Sequence, residues 1–421
     1  MHEANRMKRL PPYLFTVVDG LKREVRSQGV DVIDFSMGNP DLDPPAHALK
    51  ALREALSFPG IHRYSKWDLD IEKDFRKAIA RWYHDRFGVE LDPDTEVVPC
   101  IGSKEGIAHL ALAFMNNEDL ALIPSPAYPV HFNGIIMAGG ILYNIPIREE
   151  SGWLPDLFSL PKETTRLSKL LMLSYPHNPT TATCDLDFYE KVIHWARDKQ
   201  MIIASDLAYS DFVYRGKRAS SLLEVKGARR QCVEFHTLSK SYSMAGWRVG
   251  FAVGNREVLA SLAKTKSYCD FGHFRAIQYA ATKTLLGPQG YVKKVAEIYR
   301  KRIDLLVDGL NKIGWPIKRP AATLYAWTRI PLKFDEHSSM SFTELLLRET
   351  GVAVAPGTGF GEYGEGYVRF ALVVPEERIR EAIQRIHRFL NNGGEGKRAG
   401  RNYRRLVHTA KRHSGAKGRR V

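Results

Sequence analysis

Strand-like and helical patterns alternate along most of this chain, and this alternation restricts the possible folds more than any other feature. Apolar runs typical of buried strands occur at 119–126, at the start of 167–180 and at 201–204, and an amphipathic helical pattern covers 186–200. Strands that alternate with helices predict βαβ units and a mostly parallel sheet flanked by helices. Because ligands bind beyond the carboxyl ends of such strands, the polar residues found there are candidate site residues.

The pattern changes after residue 286. A charged helix is predicted over 291–313, and shorter strand and helix patterns follow it up to residue 391, which together predict a smaller α+β domain. The segment VDVIDFSMGNP predicts a strand near the N-terminus that packs on this smaller domain. We therefore predict four regions: an arm with a small-domain strand (1–45), a large domain (46–290), a small domain (291–392) and a disordered basic tail (393–421).

The net charge of +15 invites a nucleic-acid hypothesis, but its distribution weakens that hypothesis. The tail holds ten Lys and Arg residues against one acid and has few large apolar residues, which is typical of a solvated segment. No apolar run has the length of a membrane span, and the N-terminus lacks the apolar core of a signal peptide. The four cysteines contain no CxxC pair, which argues against a disulfide framework or a zinc site. We therefore expect a cytoplasmic protein without a membrane or specific nucleic-acid partner.

Lys240 directly follows the apolar run CVEFHTL, an unusual place for a lysine unless it faces a cleft or is paired. A desolvated lysine has a lowered pKa and can form an imine with a carbonyl compound. The hydroxyl groups of Thr237 and Ser239 could hold a phosphate beside it. Asp206 ends another apolar run, where it could pair with a cationic ring nitrogen or could cap a helix.

Further polar candidates lie in the turns after the predicted strands. Asn178, in YPHNPT, could reach a ligand oxygen together with Tyr209, or it could cap its own turn. Ser103 and Lys104 precede an apolar helix at 107–115, and a helix N-terminus favours phosphate. Ser103 could equally be a plain N-cap.

Three more residues complete the set of candidates. Tyr128, in SPAYPVH, could stack on a flat ring or lie in the core. Arg248, eight residues after Lys240, would be a further cation that binds the phosphate. Arg369 lies inside the strand pattern YVRFAL, where a bidentate carboxylate partner or an exposed strand edge would explain it.

Together and in this order, these residues resemble the class I and II pyridoxal-phosphate (PLP)-dependent aminotransferases of fold type I, over about residues 10–391. The resemblance depends on the segments SYPHNPT, SDLAYSDFVY, TLSKSYSMAGWRVGF and YVRFAL. It includes the spacing of 28 residues from Asn178 to Asp206 and of three more to Tyr209. Stretches such as IGSKEGIAHL and SPAYPVHFNG are most similar to the alanine (glutamate–pyruvate) transaminase and LL-diaminopimelate aminotransferase-like subgroup.

The resemblance implies a role for each candidate residue. Lys240 would bind PLP as an imine and move the proton, Asp206 would pair with the ring nitrogen, and Tyr128 would stack on the ring. The phenolic oxygen would be contacted by Asn178 and Tyr209, and the phosphate by Ser103, Lys104, Thr237, Ser239 and Arg248. The substrate carboxylate would be bound by Arg369 and closed over by Gly38 and Asn39. Tyr64 would reach the phosphate of a neighbouring subunit, which implies a homodimer, although the glycine that usually follows it is missing from 66–70.

The implied function is transamination between an alanine-like L-amino acid and a 2-oxo acid such as 2-oxoglutarate or pyruvate. LL-diaminopimelate aminotransferase activity, a β-lyase and a decarboxylase are alternatives on the same fold. A PLP-sensing transcription regulator would need a DNA-binding helix-turn-helix before the PLP-binding domain. Because the family-like region starts by about residue 10, we expect an enzyme instead.

Overall fold

The structure is a computed structural model, and it describes residues 2–216 and 218–391. The predicted tail, 393–421, lies outside the described residues. The helices are α1 (Asn5–Lys8), α2 (Leu14–Ser27), α3 (Ala46–Ala55), α4 (Asp70–Phe87), α5 (Ser103–Phe114), α6 (Pro129–Met137), α7 (Lys162–Leu167), α8 (Leu186–Ala196), α9 (Leu238–Ser241), α10 (Arg256–Cys269), α11 (Arg275–Leu286), α12 (Gly290–Lys312), α13 (Ser339–Thr350) and α14 (Glu376–Asn391). The strands are β1 (Ile33–Asp34), β2 (Val97–Cys100), β3 (Leu120–Ser125), β4 (Ile141–Pro146), β5 (Ser168–Leu173), β6 (Ile202–Asp206), β7 (Cys232–Thr237), β8 (Gly250–Gly254), β9 (Tyr325–Arg329), β10 (Val352–Ala353), β11 (Ala355–Pro356) and β12 (Tyr367–Ala371).

The largest sheet has seven strands in the order β2-β8-β7-β6-β5-β3-β4. The neighbours from β4 to β7 are parallel, and β8 runs antiparallel to both β7 and β2, which confirms the predicted mostly parallel sheet. Successive side chains of a strand point to opposite faces. Along β5, Leu170 and Met172 join one apolar core, while Leu171 and Leu173 join another. The sheet is therefore buried on both faces, as a sheet flanked by helices must be.

A second group of strands belongs to the C-terminal part of the chain. Strands β11, β12 and β9 form an antiparallel sheet in which β12 is central, and Arg369 pairs with Trp327 across it. The apolar core beside it includes residues of α12, α13 and α14. Strand β1 pairs in parallel with β10, with Ile33 opposite Val352. The segment that follows β1 therefore runs from these smaller sheets to the candidate active site.

Two helices differ from the sequence prediction at one end. Helix α5 begins at Ser103 rather than at Ile107. Its polar first turn is stabilised because the Glu105 carboxylate accepts a hydrogen bond from the Ile101 backbone N–H. Helix α8 ends at Ala196 rather than at residue 200, where the chain folds into a turn closed by the Lys199 N–H on the Ala196 carbonyl. None of the helices in the described residues is both long and apolar enough to cross a bilayer.

Candidate active site

A cavity opens where the carboxyl ends of β6 and β7, the start of α5 and the small antiparallel sheet meet. Every predicted site residue except Asn39 and Tyr64 lines it. The cavity is lined by Tyr13, Phe15, Met37, Gly38, Ser103, Lys104, Tyr128, Asn178, Asp206, Ala208, Tyr209, Thr237, Ser239, Lys240, Ala245, Arg248, Tyr325 and Arg369.

Lys240 lies on the short helix α9, immediately after β7. Its ammonium donates a hydrogen bond of 2.6 Å to the Gly38 carbonyl oxygen. Burial lowers the pKa of Lys240 below its usual value, and nearby Arg369 adds to this effect, while the Tyr325 phenol opposes it. A lysine that loses its proton more readily is better able to attack a carbonyl carbon, as imine formation requires.

Asp206 is the last residue of β6, and among the described residues only one of its two carboxylate oxygens has a hydrogen-bond partner. Its Oδ2 lies 3.0 Å from His131 Nε2, and both side chains are buried. Within the described part of the chain, no hydrogen bond reaches Asp206 Oδ1. The chain continues into turns rather than a helix, so the helix-cap alternative is wrong. Asp206 lines the cavity, and a buried carboxylate with one oxygen that accepts no hydrogen bond there is suited to a cationic partner.

The beginning of α5 faces a group of cations and hydroxyls. Gly102, rather than Ser103, is the N-cap residue, with a φ of 76° that favours glycine. A Cβ at Gly102 would come within 2.4 Å of Arg248 Nη2, so the glycine also leaves room for that guanidinium. Burial lowers the pKa of Lys104, and the charge of Arg248 lowers it further. Free N–H groups and clustered cations at a helix N-terminus favour a phosphate dianion.

Two hydroxyl groups continue this arrangement at the start of α9. Thr237 Oγ1 donates to Ser239 Oγ over 2.9 Å and accepts a hydrogen bond from the Ser239 backbone N–H. The Arg248 guanidinium lies 3.5 Å from the same Ser239 oxygen. The predicted phosphate-binding residues therefore come together from two separate loops.

Arg369 is 2% exposed and lies on the central strand β12, so the alternative of an exposed strand edge is wrong. Its guanidinium donates to Asn178 Oδ1 at 2.8 Å and to the Ser36 carbonyl at 3.0 Å. The ring centroids of Tyr325 and Phe360 lie 4.1 and 4.6 Å from its central carbon. The planar guanidinium thus packs against two aromatic rings at the cavity wall, where it can bind a carboxylate.

Tyr209 and Tyr325 form a buried pair of phenols. Their hydroxyl oxygens are 2.7 Å apart, and Asn178 Nδ2 lies at 3.5 Å from Tyr209. Burial raises the pKa of Tyr209, and its phenol neighbour Tyr325 raises it further. Asn178 therefore contacts both the phenol pair and Arg369 instead of capping its own turn.

Two predicted residues do not reach the cavity within one chain. Asn39 is exposed, and Tyr64 is 79% exposed with its ring 5.5 Å from that of Phe271. Sequence reasoning also missed His131 and Tyr325. His131 lies one helical turn after Tyr128, and this spacing could have indicated that it lies near the site. Tyr325 lies in a strand pattern that is the same for any buried aromatic residue, so its sequence context gives no such indication.

The residues of the cavity fit PLP. An amine of lowered pKa suits its aldehyde, the free oxygen of Asp206 suits its ring nitrogen, and the cations at α5 suit its phosphate. Arg369, which lines the same cavity, suits a substrate carboxylate. Fold and site together define a PLP-binding α/β enzyme that acts on carboxylate substrates.

Comparison with known proteins gives the family. A sequence model of the family "Aminotransferase class I and II" matches residues 30–386. The chain is 47% identical to LL-diaminopimelate aminotransferase of Syntrophobacter fumaroxidans, over 92% of this chain and 98% of that protein. It is 44% identical to glutamate-pyruvate aminotransferase AlaC of Escherichia coli, over 90% and 92% of the two chains. The solved structure of a probable N-succinyldiaminopimelate aminotransferase from Thermus thermophilus superposes with a TM-score of 0.83 at 40% identity, covering 89% and 99%.

The chain therefore belongs to the class I and II aminotransferases and is a PLP-dependent aminotransferase of fold type I.

Proposed function

We propose that this enzyme transfers the amino group of an alanine-like L-amino acid to a 2-oxo acid such as 2-oxoglutarate or pyruvate. The observation that carries the proposal is the buried Arg369 guanidinium on the wall of the cavity that also contains Lys240. All these substrates share one carboxylate beside the reacting carbon, and one planar clamp serves donor and acceptor alike. The similarity to the glutamate-pyruvate aminotransferase of Escherichia coli supports this choice.

A second candidate substrate is LL-diaminopimelate. Several relatives at 43–47% identity carry the name LL-diaminopimelate aminotransferase. The same clamp would bind one of the two identical ends of this molecule. Single contacts in the substrate pocket change which substrate is preferred within such a family. The choice between the two candidate substrates therefore depends on activity measurements with both.

We propose that the site residues divide the work between cofactor and substrate. PLP, when bound, supplies an electron-accepting ring that stabilises negative charge on the substrate Cα. Lys240 Nζ would take the proton from Cα of the amino donor and, in the return half of the reaction, deliver a proton to the corresponding carbon of the 2-oxo acid acceptor. Asp206 Oδ1 would hold a proton on the ring nitrogen of bound PLP, and the contact of His131 with Oδ2 orients this carboxylate. Arg369 orients the substrate carboxylate.

The remaining site residues bind the cofactor in this proposal. Tyr209 and Asn178 approach the phenolic oxygen, and Tyr128 covers the ring. The phosphate is bound by the cluster of hydroxyls and cations, Ser103, Lys104, Thr237, Ser239 and Arg248. Gly38 closes the substrate side through its carbonyl oxygen, which Lys240 contacts.

The test pairs L-alanine with 2-oxoglutarate, L-glutamate with pyruvate, and LL-diaminopimelate with each of these two acceptors. Product amino acids are separated by chromatography, and the visible spectrum of the cofactor is followed with each donor alone. We expect L-alanine with 2-oxoglutarate and L-glutamate with pyruvate to give the highest kcat/KM. A preference for LL-diaminopimelate would select the second candidate, and release of ammonia or CO2 without a new amino acid would refute transamination.

We also propose a homodimer with shared active sites. The exposed aromatic residues Tyr64, Tyr268 and Phe271 lie in neighbouring segments, since the rings of Tyr64 and Phe271 are 5.5 Å apart and Tyr268 precedes Phe271 by three residues. A patch of exposed aromatic side chains is typical of an interface. In the dimer, Tyr64 would reach the partner's phosphate site, as the family resemblance implies.

The dimer is tested by light scattering and by mixed chains. We expect a mass twice the 47.7 kDa of one chain. Lys240→Ala and Tyr64→Ala chains, each weak alone, should regain activity when coexpressed, because one site of each hybrid is then intact. A Tyr64→Phe chain is the control for the hydroxyl group. A monomeric mass with full activity would refute the shared site.

We finally propose the cytoplasm as the compartment. The four cysteines are unpaired, and burial raises the pKa of Cys100 and Cys232 well above the ordinary thiol value. Unpaired thiols persist in reducing compartments. Fractionation of cells that produce the tagged protein tests this proposal, which recovery in a membrane or secreted fraction would refute.

A further inference from the structure

Tyr325 is a buried residue that touches three parts of the site, namely Tyr209, Arg369 and Gly38. It lies on β9, opposite Ala371 of β12, with 2% of its surface exposed. Its hydroxyl is 2.7 Å from the Tyr209 hydroxyl. The face of its ring lies 4.1 Å from the Arg369 guanidinium carbon. One side chain thus contacts both the cofactor side and the substrate side of the cavity.

The position of the Tyr325 hydroxyl is fixed by close packing against Gly38. A Cβ at residue 38 would come within 2.2 Å of that hydroxyl oxygen, so the tyrosine and a side chain at residue 38 cannot coexist in this arrangement. The carbonyl oxygen of the same Gly38 accepts the hydrogen bond from Lys240. The glycine therefore lets the phenol stand directly beside the lysine end of the cavity.

The charges around Tyr325 set which of the two phenols gives up a proton first. Burial alone would raise the pKa of Tyr325, but Lys240 and Arg369 outweigh it and the pKa lies below its ordinary value. Once Lys240 is joined to the cofactor and Arg369 to a carboxylate, these two cations are compensated, and the neutral phenol is favoured. The titratable groups that face this phenol are Lys240, Arg369, Tyr209, Asp206 and Tyr128.

We propose that Tyr325 is a positioning residue with two functions. Its hydroxyl donates to Tyr209, and its ring holds the Arg369 guanidinium flat against the cavity wall. A phenol has one hydrogen, so a Tyr209 that accepts from Tyr325 must direct its own hydrogen elsewhere, towards the phenolic oxygen of the cofactor. This inference rests on the roles proposed above for Tyr209 and Arg369.

The hydroxyl function is tested with Tyr325→Phe, which keeps the ring and removes one oxygen. A chain of hydrogen bonds strengthens each of its members, so Tyr209 should donate less strongly to the cofactor in this variant. We expect the pH midpoint of the cofactor's visible absorbance, recorded without substrate, to rise. The shift should have the same direction as in Tyr209→Phe and be smaller. We also expect kcat to fall by about three- to tenfold, the size of one neutral hydrogen bond, with KM little changed.

The ring function is tested with Tyr325→Leu. We expect this variant to bind glutarate about tenfold more weakly than Tyr325→Phe does, because the guanidinium loses the aromatic face on one side. Glutarate has carboxylates but neither an amino nor an oxo group, so its Kd from equilibrium titration reports the clamp without turnover. The KM values of amino acid and oxo acid should rise in parallel with this Kd.

Tyr214→Phe is the matched control, because Tyr214 is a partly buried tyrosine outside the lining of the cavity, and its buried hydroxyl has no hydrogen-bond partner within the described residues. It should leave absorbance, Kd and kcat as in the unmodified enzyme. An unshifted absorbance midpoint in Tyr325→Phe would overturn the hydroxyl function, and unchanged glutarate binding in Tyr325→Leu would overturn the ring function. Failure of the unmodified enzyme to bind glutarate would instead refute the proposed role of Arg369, so the two failures are distinguishable.

Discussion

Replacing Arg369 by alanine tests the substrate half of the proposed site most directly. The guanidinium is buried, donates to Asn178 and to the Ser36 carbonyl, and lines the same cavity as Lys240. Without it, the carboxylate of any substrate would enter a closed cleft without its cationic partner. Truncating one member of such a buried charged pair costs about 2–5 kcal/mol. At about 1.4 kcal/mol per factor of ten, KM should rise by about 30-fold to several thousand-fold.

The assay measures KM for two donors and two acceptors, with the visible spectrum of the cofactor recorded alongside. All four KM values should rise together, because all four substrates use one clamp, while cofactor binding should persist. Arg369→Lys should recover only part of the loss, since an ammonium cannot contact both carboxylate oxygens while it replaces the hydrogen bond to Asn178. Thermal unfolding of each variant controls for loss of the fold. Unchanged KM values across the panel would show that Arg369 does not bind the carboxylate.

Three further predictions concern other parts of the chain. Lys240→Ala should lower kcat by about 10²–10⁴-fold or more and remove the visible absorbance of the lysine-bound cofactor, and substantial transamination by the pure variant would contradict its role. Asp206→Ala should lower kcat by about 10²–10³-fold with little change in KM, because the ring becomes a poorer electron acceptor; a near-normal kcat would reduce Asp206 to a partner of His131. Deleting 393–421 should change kcat/KM by less than about twofold and leave the oligomeric state intact, as expected for a segment so poor in apolar residues. A monomeric or inactive truncated enzyme would show that the tail contributes to the fold.

The residues on the large sheet could be predicted from the sequence for a physical reason. Asp206, Lys240 and Asn178 each follow an apolar strand pattern, and the carboxyl ends of parallel strands meet at one edge. The spacing of these segments then matched one family. The predicted strand at 367–372 is found as β12, and its central place in the sheet explains the arginine inside it.

Contacts between distant segments could not be predicted in this way. Tyr325 and Phe360 reach Arg369 because strands and loops of the C-terminal part of the chain line the cavity. An aromatic residue gives the same strand pattern in a core as at a site. Gly38 is separated by 202 residues from Lys240, which donates to it. The start of helix α5 at Gly102 depends on a positive backbone φ. The apolar pattern beginning at Ile107 gives no information about this angle. The domain boundaries at 45, 290 and 392 stay predictions.

The pairing of β1 with β10 has a consequence for the time at which the enzyme becomes able to bind its substrate. During synthesis the ribosome releases Ile33 first and Val352 more than three hundred residues later, yet these residues are partners in one ladder. Ser36 and Gly38, which follow β1, supply the oxygens for Arg369 and Lys240. Contacts of such long sequence separation form late, because a long loop must close before they are gained. The nascent chain therefore cannot complete its carboxylate clamp until nearly all of it has left the ribosome, and cofactor capture before that point would take place in a site that is still open.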